Sequence, residues 1–512
     1  IGLDRNPANY QPLTPLTFLE RAAHVFPRHT AIIHGDLRRD YAGLYSRCCQ
    51  FASVLDRAGI GPGDTVSVML LNTPAMIEAH YGVPMAGVVL HSLNTRLDAA
   101  TIAFQLDHAE AKIVITDVAL LPRMREALAR AEGTPRLIVY DDTKYDGPRS
   151  AYDETEYEAF IADGDAGFAW KMPANEWDAI SINYTSGTTG NPKGVLFTHR
   201  STMLHTFGMM VFAAEVGLNS SAVVLPVVPF FHANGWGLPF ASPLVGAKFV
   251  LPGPGLDGEN LFKLMDVEGV TSAWGVPTIW LGLLAEMRKH GRKPEGFQYM
   301  LVGGSAVPRS MIAEFEMDFD VRVVHGWGMT ETSPVGSTTT FSPSMRALPI
   351  EKKVDLKVSQ GRRMYTVDMR IVNDTGELLP NDGEAFGELQ VRGHAVMNGY
   401  FEDEEASDAA LTEDGWLRTG DVAKIDPDGF MSLVDRTKDV IKSGGEWISS
   451  IDLENAAQGH EAVKECAVIA ASHPKWAERP LLIVVLESGK EVTAGEIKQY
   501  LACLLYTSDA AD

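Results

Sequence analysis

The stretch Ala179-Ile180-Ser181-Ile182-Asn183-Tyr184 runs directly into Thr185-Ser186-Gly187-Thr188-Thr189-Gly190-Asn191-Pro192-Lys193-Gly194. The first part reads as a strand and the second as a loop of small residues at its end. Glycine lets backbone N–H groups approach an anion closely. Thr185, Ser186, Thr188 and Thr189 add hydroxyl donors, and Lys193 adds a positive charge. Such a loop can wrap a triphosphate. It is not a Walker A loop, which after a first Gly and four intervening residues needs Gly-Lys-Ser/Thr; at that spacing Gly187 is followed by Pro192-Lys193-Gly194. A loop rich in Ser, Thr and Gly is also a common polar turn, so its meaning depends on residues elsewhere in the chain.

Outward from this loop, strand-like and helix-like stretches alternate. Residues 65–71 read as a buried strand, 75–85 as a helix, 101–108 as a helix and 112–116 as a strand. Residues 299–302 form a strand ending in Gly303-Gly304-Ser305. Residues 308–316 follow as a helix with Pro308 at its start, where a missing N–H does no harm. This alternation predicts an α/β architecture with mainly parallel sheets flanked by helices. The character changes near Asp435-Arg436-Thr437-Lys438-Asp439. Beyond it come a helix near 451–458, strands over 465–471 and 481–487, and a helix opening at Thr493 with Glu496 as its capping-box partner. The expected organisation is a large N-terminal domain over residues 1–435, a hinge at 436–439 and a small, partial α+β domain over 440–502.

A chain of 512 residues is too long for one core. Its hydrophobic fraction of 45% and charged fraction of 22% are ordinary for a soluble globular protein. No stretch approaches the run of about 18 apolar residues needed to span a bilayer. The formal charge of -23 repels nucleic acid and anionic membrane, so neither is an expected partner. It repels nucleotides too, so a nucleotide site must concentrate Lys, Arg and backbone N–H groups locally. Cys48, Cys49, Cys466 and Cys503 form no C-x-x-C pair. They suit neither a disulfide framework nor a zinc site and point to a reducing, cytoplasmic setting. The start at Ile1 carries no apolar signal core, and no targeting segment is expected.

Further motifs carry chemistry. Gly303-Gly304-Ser305-Ala306 ends a strand, where a tight turn for packing is the plain reading. His325-Gly326-Trp327-Gly328-Met329-Thr330-Glu331-Thr332 places a carboxylate after a Gly-Trp-Gly turn, and Mg²⁺ favours such hard oxygen ligands. Gly415-Trp416-Leu417-Arg418-Thr419-Gly420-Asp421 ends on an acid that suits ribose hydroxyls, as in other nucleotide folds, or a simple turn. Arg436 reads either as a ligand contact or as a surface ion pair with Asp435 or Asp439. His232 lies in Pro229-Phe230-Phe231-His232-Ala233-Asn234-Gly235-Trp236-Gly237, where a histidine beside aromatics is most often structural. In Lys442-Ser443-Gly444-Gly445-Glu446-Trp447 the paired Gly permit close backbone approach, while Trp447 could equally fill a domain interface.

From about residue 12 to 502, these motifs and their order resemble the acyl-CoA synthetase branch of the adenylate-forming superfamily. The resemblance implies ligation of a carboxylic acid to coenzyme A through an acyl-AMP, with ATP and Mg²⁺ consumed or required and AMP and pyrophosphate released. It makes residues 1–435 the AMP-binding domain. Thr185, Ser186, Gly187, Thr188, Thr189, Gly190 and Lys193 would then hold the phosphates. Gly303, Gly304, Ser305 and Ala306 would form part of the adenine pocket. Trp327, where the family usually has Tyr, would lie against adenine, flanked by Gly326, Gly328 and Met329. Thr330 would meet the α-phosphate, Glu331 would hold Mg²⁺ with Thr185 as hydroxyl helper, and Asp421 and Arg436 would take the ribose.

Lys438 matches the hinge, and Lys442, Gly444, Gly445 and Trp447 match the wall of the pantetheine channel. His232 resembles the residue that lines the acyl site and moves between half-reactions. Trp236 resembles the gate of a fatty-acid tunnel. The run 442–447 and His473-Pro474-Lys475-Trp476 favour the fatty-acid subgroup with medium to long chains. A short, branched, thioether or aromatic acid is the alternative, with Phe207, Phe230, Trp236 and Trp274 as bulky candidates to limit the tunnel. A non-catalytic nucleotide- or acyl-binding remnant is the reading from another class. Related ligases are often dimers, which makes a homodimer an expectation. The family's C-terminal Lys, which meets the forming acyl-phosphate bond, has no match up to Ala502. Residues 503–512 resemble a translated library adapter, so the chain is expected to be cut there.

Overall fold

The helix Pro74–Met85 has no polar face because every one of its residues is buried. Its carboxylate, Glu78, is fully buried and therefore needs partners. Arg47 Nε lies 2.7 Å from Oε1 and its Nη2 3.0 Å from Oε2. The Tyr157 hydroxyl donates to Oε2 at 2.8 Å, and Arg39 pairs with Oε1. This network ties the helices Tyr41–Arg57 and Tyr157–Ala162 to the buried one.

The computed structural model describes Gly2 and residues 4–185, 191–436, 441–443, 446–460, 462–473 and 477–505. One seven-stranded sheet runs in the order Thr155–Glu156, Arg136–Tyr140, Ala111–Asp117, Thr65–Met69, Val89–Ser92, Ala179–Tyr184, Gly194–Thr198. All its neighbours are parallel except the last pair, an antiparallel hairpin that carries the small-residue loop. A nine-stranded sheet has Arg322–Gly328, Tyr299–Val302, Ser272–Gly275, Val223–Pro226, Lys248–Val250 and Thr30–His34 as its parallel centre. Antiparallel strands close both edges. Helices cover these sheets, as the near-continuous apolar character of the strands requires.

A four-stranded antiparallel sheet of Asp368–Val372, Phe386–Arg392, Leu417–Ile425 and Met431–Arg436 was not foreseen from the pattern. Beyond it, a second antiparallel sheet is made of Glu446–Ile448, Ile441–Ser443, Ala477–Leu486 and Val463–His473. The helices Ser450–Gln458 and Ala494–Leu505 accompany it. The expected capping box is present: Glu496 Oε2 accepts from Thr493 N at 2.8 Å, and Thr493 Oγ1 accepts from Glu496 N at 3.3 Å. The helix expected over 308–316 differs. Pro308 is extended and caps Arg309–Ala313, after which the chain widens into a π-turn over Glu314–Asp318. That turn presents Glu316 to the Val323 N–H at 2.8 Å and to Lys357. Among the described residues no helix is long and apolar enough to cross a membrane.

Candidate active site

Adjacent parallel strands of the nine-stranded sheet deliver their carboxyl ends to one cavity, the usual ligand position in such folds. It is a narrow cavity of roughly 60 Å³ that opens to solvent. His232, Ala233 and Trp236 line one side; Gly303, Gly304, Gly326, Trp327, Gly328, Met329 and Thr330 line the other. Gly303 is held to glycine by its neighbour strand: a β-carbon there would stand 2.8 Å from the Gly326 carbonyl oxygen, while reaching only ordinary contact, 3.5 Å, with Trp236 Cη2. Gly304 has φ +83° and also faces the Trp236 indole. Ser305 is exposed, and Ala306 lines a separate cleft with Gln360, Phe430 and Ile451.

Ala233, Asn234, Gly235 and Trp236 all have positive φ, between 45° and 58°. For non-glycine residues this costs about 1–2 kcal/mol each, so neighbours must hold the turn. Asn234 Nδ2 donates to Ser181 Oγ at 2.9 Å, tying the turn to the strand that leads into the small-residue loop. The Phe230 ring occupies the space a side chain at Gly235 would need. The turn sets the Trp236 indole against Gly303 and Gly304. His232 sits at the cavity mouth, where loss of water around the ring and then the Arg96 charge push its pKa below the ordinary value.

The base of the small-residue loop is closed by Thr185 N donating to Lys193 O at 2.9 Å and Lys193 N donating to Thr185 Oγ1 at 3.4 Å. Ser186, Gly187, Thr188, Thr189 and Gly190 lie outside the described residues. Lys193 Nζ stands 4.8 Å from the centre of the Tyr400 ring, and the Tyr400 hydroxyl donates to Glu331 Oε1 at 2.8 Å. Phe401 N donates to Gly194 O, and Met397 N to Glu331 O. Residues 397–401 thus join the loop base to Glu331, which is only 7% exposed. Burial raises the Glu331 pKa; the Tyr400 hydrogen bond and the Arg436 charge oppose this, and the Asp421 charge adds to it.

Asp421 is buried and gripped from two sides. Trp327 Nε1 donates to Oδ2 at 2.9 Å, and Arg436 Nη1 pairs with Oδ1 at 2.9 Å. Arg436 therefore does not pair with Asp435, which instead accepts from its N–H and from Ser450 N. Burial raises the Asp421 pKa, and Arg436 and the indole N–H pull it back.

The fold thus brings Lys193, His232, Trp236, Gly303, Gly304, Trp327, Thr330, Glu331, Asp421 and Arg436 into one contiguous region. It leaves Ala306 in the neighbouring cleft. Phe207 is exposed and packs on Phe18, Phe230 packs on Phe249, and Trp274 on Phe212; none of these three lines the cavity. Lys438, Gly444, Gly445 and residues 474–476 lie outside the described residues; Lys442 and Trp447 pair across two short strands. Sequence reasoning missed Tyr400 and the Trp327–Asp421 bond. An aromatic after Asn398-Gly399 looks like any surface turn, and a contact between residues 94 positions apart leaves no local trace.

A family model described as AMP-binding enzyme matches residues 19–401. The chain belongs to the AMP-binding enzyme family. The model of the AMP-binding enzyme C-terminal domain matches residues 452–505. A 3-methylmercaptopropionyl-CoA ligase of Ruegeria pomeroyi is 43% identical, over 95% of this chain and 90% of the relative. A medium-chain-fatty-acid–CoA ligase of Ectopseudomonas oleovorans is 44% identical, over 89% of this chain and 83% of the relative. Among solved structures, the anthranilate CoA ligase AuaEII with anthranoyl-AMP superposes with a TM-score of 0.85 at 21% identity, covering 99% of this chain and 93% of that one. The o-succinylbenzoate CoA synthetase of Bacillus subtilis with its acyl-adenylate gives 0.78 at 26% identity, covering 98% and 92%. This AMP-binding enzyme therefore shares the adenylate-forming fold of acid–CoA ligases, with a large N-terminal and a smaller C-terminal domain.

Proposed function

We propose that this AMP-binding enzyme activates a medium- to long-chain fatty acid as its acyl-adenylate and transfers the acyl group to coenzyme A. The observation that carries the reading is the shared cavity, where the His232–Trp236 turn faces the Gly303-Gly304 and Gly326–Thr330 segments. An acid entering beside His232 and Trp236 meets a nucleotide held by the other wall.

A carboxylic acid has a pKa near 4 to 5 and is ionised at neutral pH, so adenylation needs no general base. It needs the carboxylate aligned with the α-phosphorus and relief of charge repulsion. Lys193 and the backbone donors of its loop serve the phosphates, and Thr330 serves the α-phosphate. Asp421 and Arg436 take the ribose, while Gly303, Gly304 and Trp327 take the adenine. Among the described residues no cluster of three or more His, Cys, Asp or Glu side chains is placed to hold a metal. Mg²⁺ bound to a nucleotide needs only one or two protein oxygens. Glu331 fits that role, because its buried carboxylate would gain a favourable partner in a hard cation, and the Thr185 hydroxyl is the candidate helper. The ion would spread the phosphate charge. The coenzyme A thiol, with a pKa of roughly 8.5 if it behaves like Cys, then attacks the acyl carbonyl and AMP leaves. Residues 1–435 form the nucleotide-binding domain, and Lys438 the pivot of the smaller one.

A second reading has a specific observation behind it: the thioether-acid ligase of Ruegeria pomeroyi is as similar as the fatty-acid ligase. AMP release in the presence of coenzyme A, scored over straight-chain acids of increasing length and 3-methylmercaptopropionate, separates the two. Octanoate or longer acids turning over best supports the fatty-acid reading. A preference for the thioether acid by tenfold or more in kcat/KM replaces it.

A further inference from the structure

We propose that Trp327 is a positioning residue for Asp421, its indole N–H setting the plane of the carboxylate that receives the ribose. The inference rests on the reading of Asp421 as the ribose carboxylate and adds a role that an aromatic face alone does not supply. An ionised carboxylate offers about four lone-pair sites, two on each oxygen. Trp327 takes one on Oδ2 at 2.9 Å and Arg436 takes one on Oδ1 at 2.9 Å. One site per oxygen remains, which is the demand of a vicinal diol.

The two grips are unequal. The Arg436 side chain is 55% exposed and ends the last strand before residue 437, whereas Trp327 and Asp421 are 7% and 2% exposed. The indole is therefore the fixed partner and the guanidinium the displaceable one. The bond also spans two sheets: Trp327 lies next to the end of a strand of the nine-stranded sheet, and Asp421 lies on the four-stranded antiparallel sheet opposite Arg436. Gly336 makes this geometry possible. A β-carbon there would stand 2.5 Å from Trp327 Cζ3, so only glycine leaves room for the six-membered ring that directs Nε1 at Asp421. A phenyl ring would keep a flat face but lose the donor.

The test is equilibrium binding of ATP, 2′-deoxy-ATP and 2′,3′-dideoxy-ATP to the full chain and to W327F and D421A, with circular dichroism to verify folding. The expected result is that the full chain prefers ATP to the dideoxy nucleotide by about tenfold or more. D421A should lose that preference, and W327F should lose most of it, the ratio between ATP and the dideoxy nucleotide being the readout whatever the loss of the indole does to adenine affinity itself. If the parent and D421A discriminate equally, the ribose reading of Asp421 fails and the proposal falls with it. If D421A loses the preference but W327F keeps it, the ribose reading stands and the proposal alone is overturned. Uniform weakening of all three nucleotides by W327F reduces Trp327 to a stacking or packing role and also overturns it. Should W327F not fold, benzothienylalanine at position 327 keeps the ring outline, replaces the N–H by sulfur, and answers the same question.

Discussion

Replacing Gly303 by Ala tests whether the cavity wall is as close as the structure has it. The new β-carbon would lie 2.8 Å from the Gly326 carbonyl oxygen and 3.5 Å from the Trp236 indole. Carbon–oxygen contacts settle at about 3.3–3.6 Å, so roughly half an ångström must be found between two strands. Those strands are hydrogen-bonded neighbours, Val302 standing opposite His325, so the separation is not free to change. Overpacking of this kind costs about 1–3 kcal/mol. The Gly326 carbonyl and the indole are both walls of the cavity, so the strain is expected in nucleotide affinity, about 5- to 150-fold at 1.4 kcal/mol per tenfold. Calorimetric titration with AMP measures it, alongside thermal unfolding. Gly269→Ala is the comparator: it has φ +63° with no atom within 4 Å of the added carbon, so it should lower stability and leave AMP binding unchanged. AMP affinity of G303A within twofold of the parent would refute the reasoning.

Two further outcomes follow from buried charge. Glu78→Gln leaves Arg39, Arg47 and Tyr157 around a neutral amide and should destabilise the fold by about 3–5 kcal/mol; an unchanged midpoint in thermal unfolding would show that the network contributes nothing. Asp117 is fully buried, and burial, with Asp142 and Asp141 adding, raises its pKa from 3.8 to about 7. The folded chain then holds this proton more tightly than the unfolded one, so stability is lost as pH rises from about 4 to about 7. Asp117→Asn should gain on the parent through that window, by up to about 4 kcal/mol at pH 8; a pH-independent difference in unfolding midpoint between the two would be inconsistent with it.

Residues 179–194 determined much by themselves. A strand followed by glycines, hydroxyls and one lysine dictates a backbone that can surround phosphate, and Pro192-Lys193-Gly194 at the spacing after Gly187 where Gly-Lys-Ser/Thr would be needed excludes a Walker A loop. Strands such as Tyr299–Val302 and helices such as Pro74–Met85 were legible because apolar runs and glycine or proline boundaries are local signals. The antiparallel sheet that carries Asp421 was not legible: its strands alternate polar and apolar residues over short spans, and its partners are set by long-range pairing. Nor could the sequence distinguish Ala306 from Gly304, or Phe230 from Trp236, since adjacent or similar residues point to different spaces. Only the tertiary structure decided that Arg436 reaches Asp421 instead of Asp435, that Tyr400 braces Glu331, and that Trp327 bonds the carboxylate. Hydrogen bonds and close packing depend on distances of a few tenths of an ångström between segments far apart in the chain, and no one-dimensional pattern carries that information.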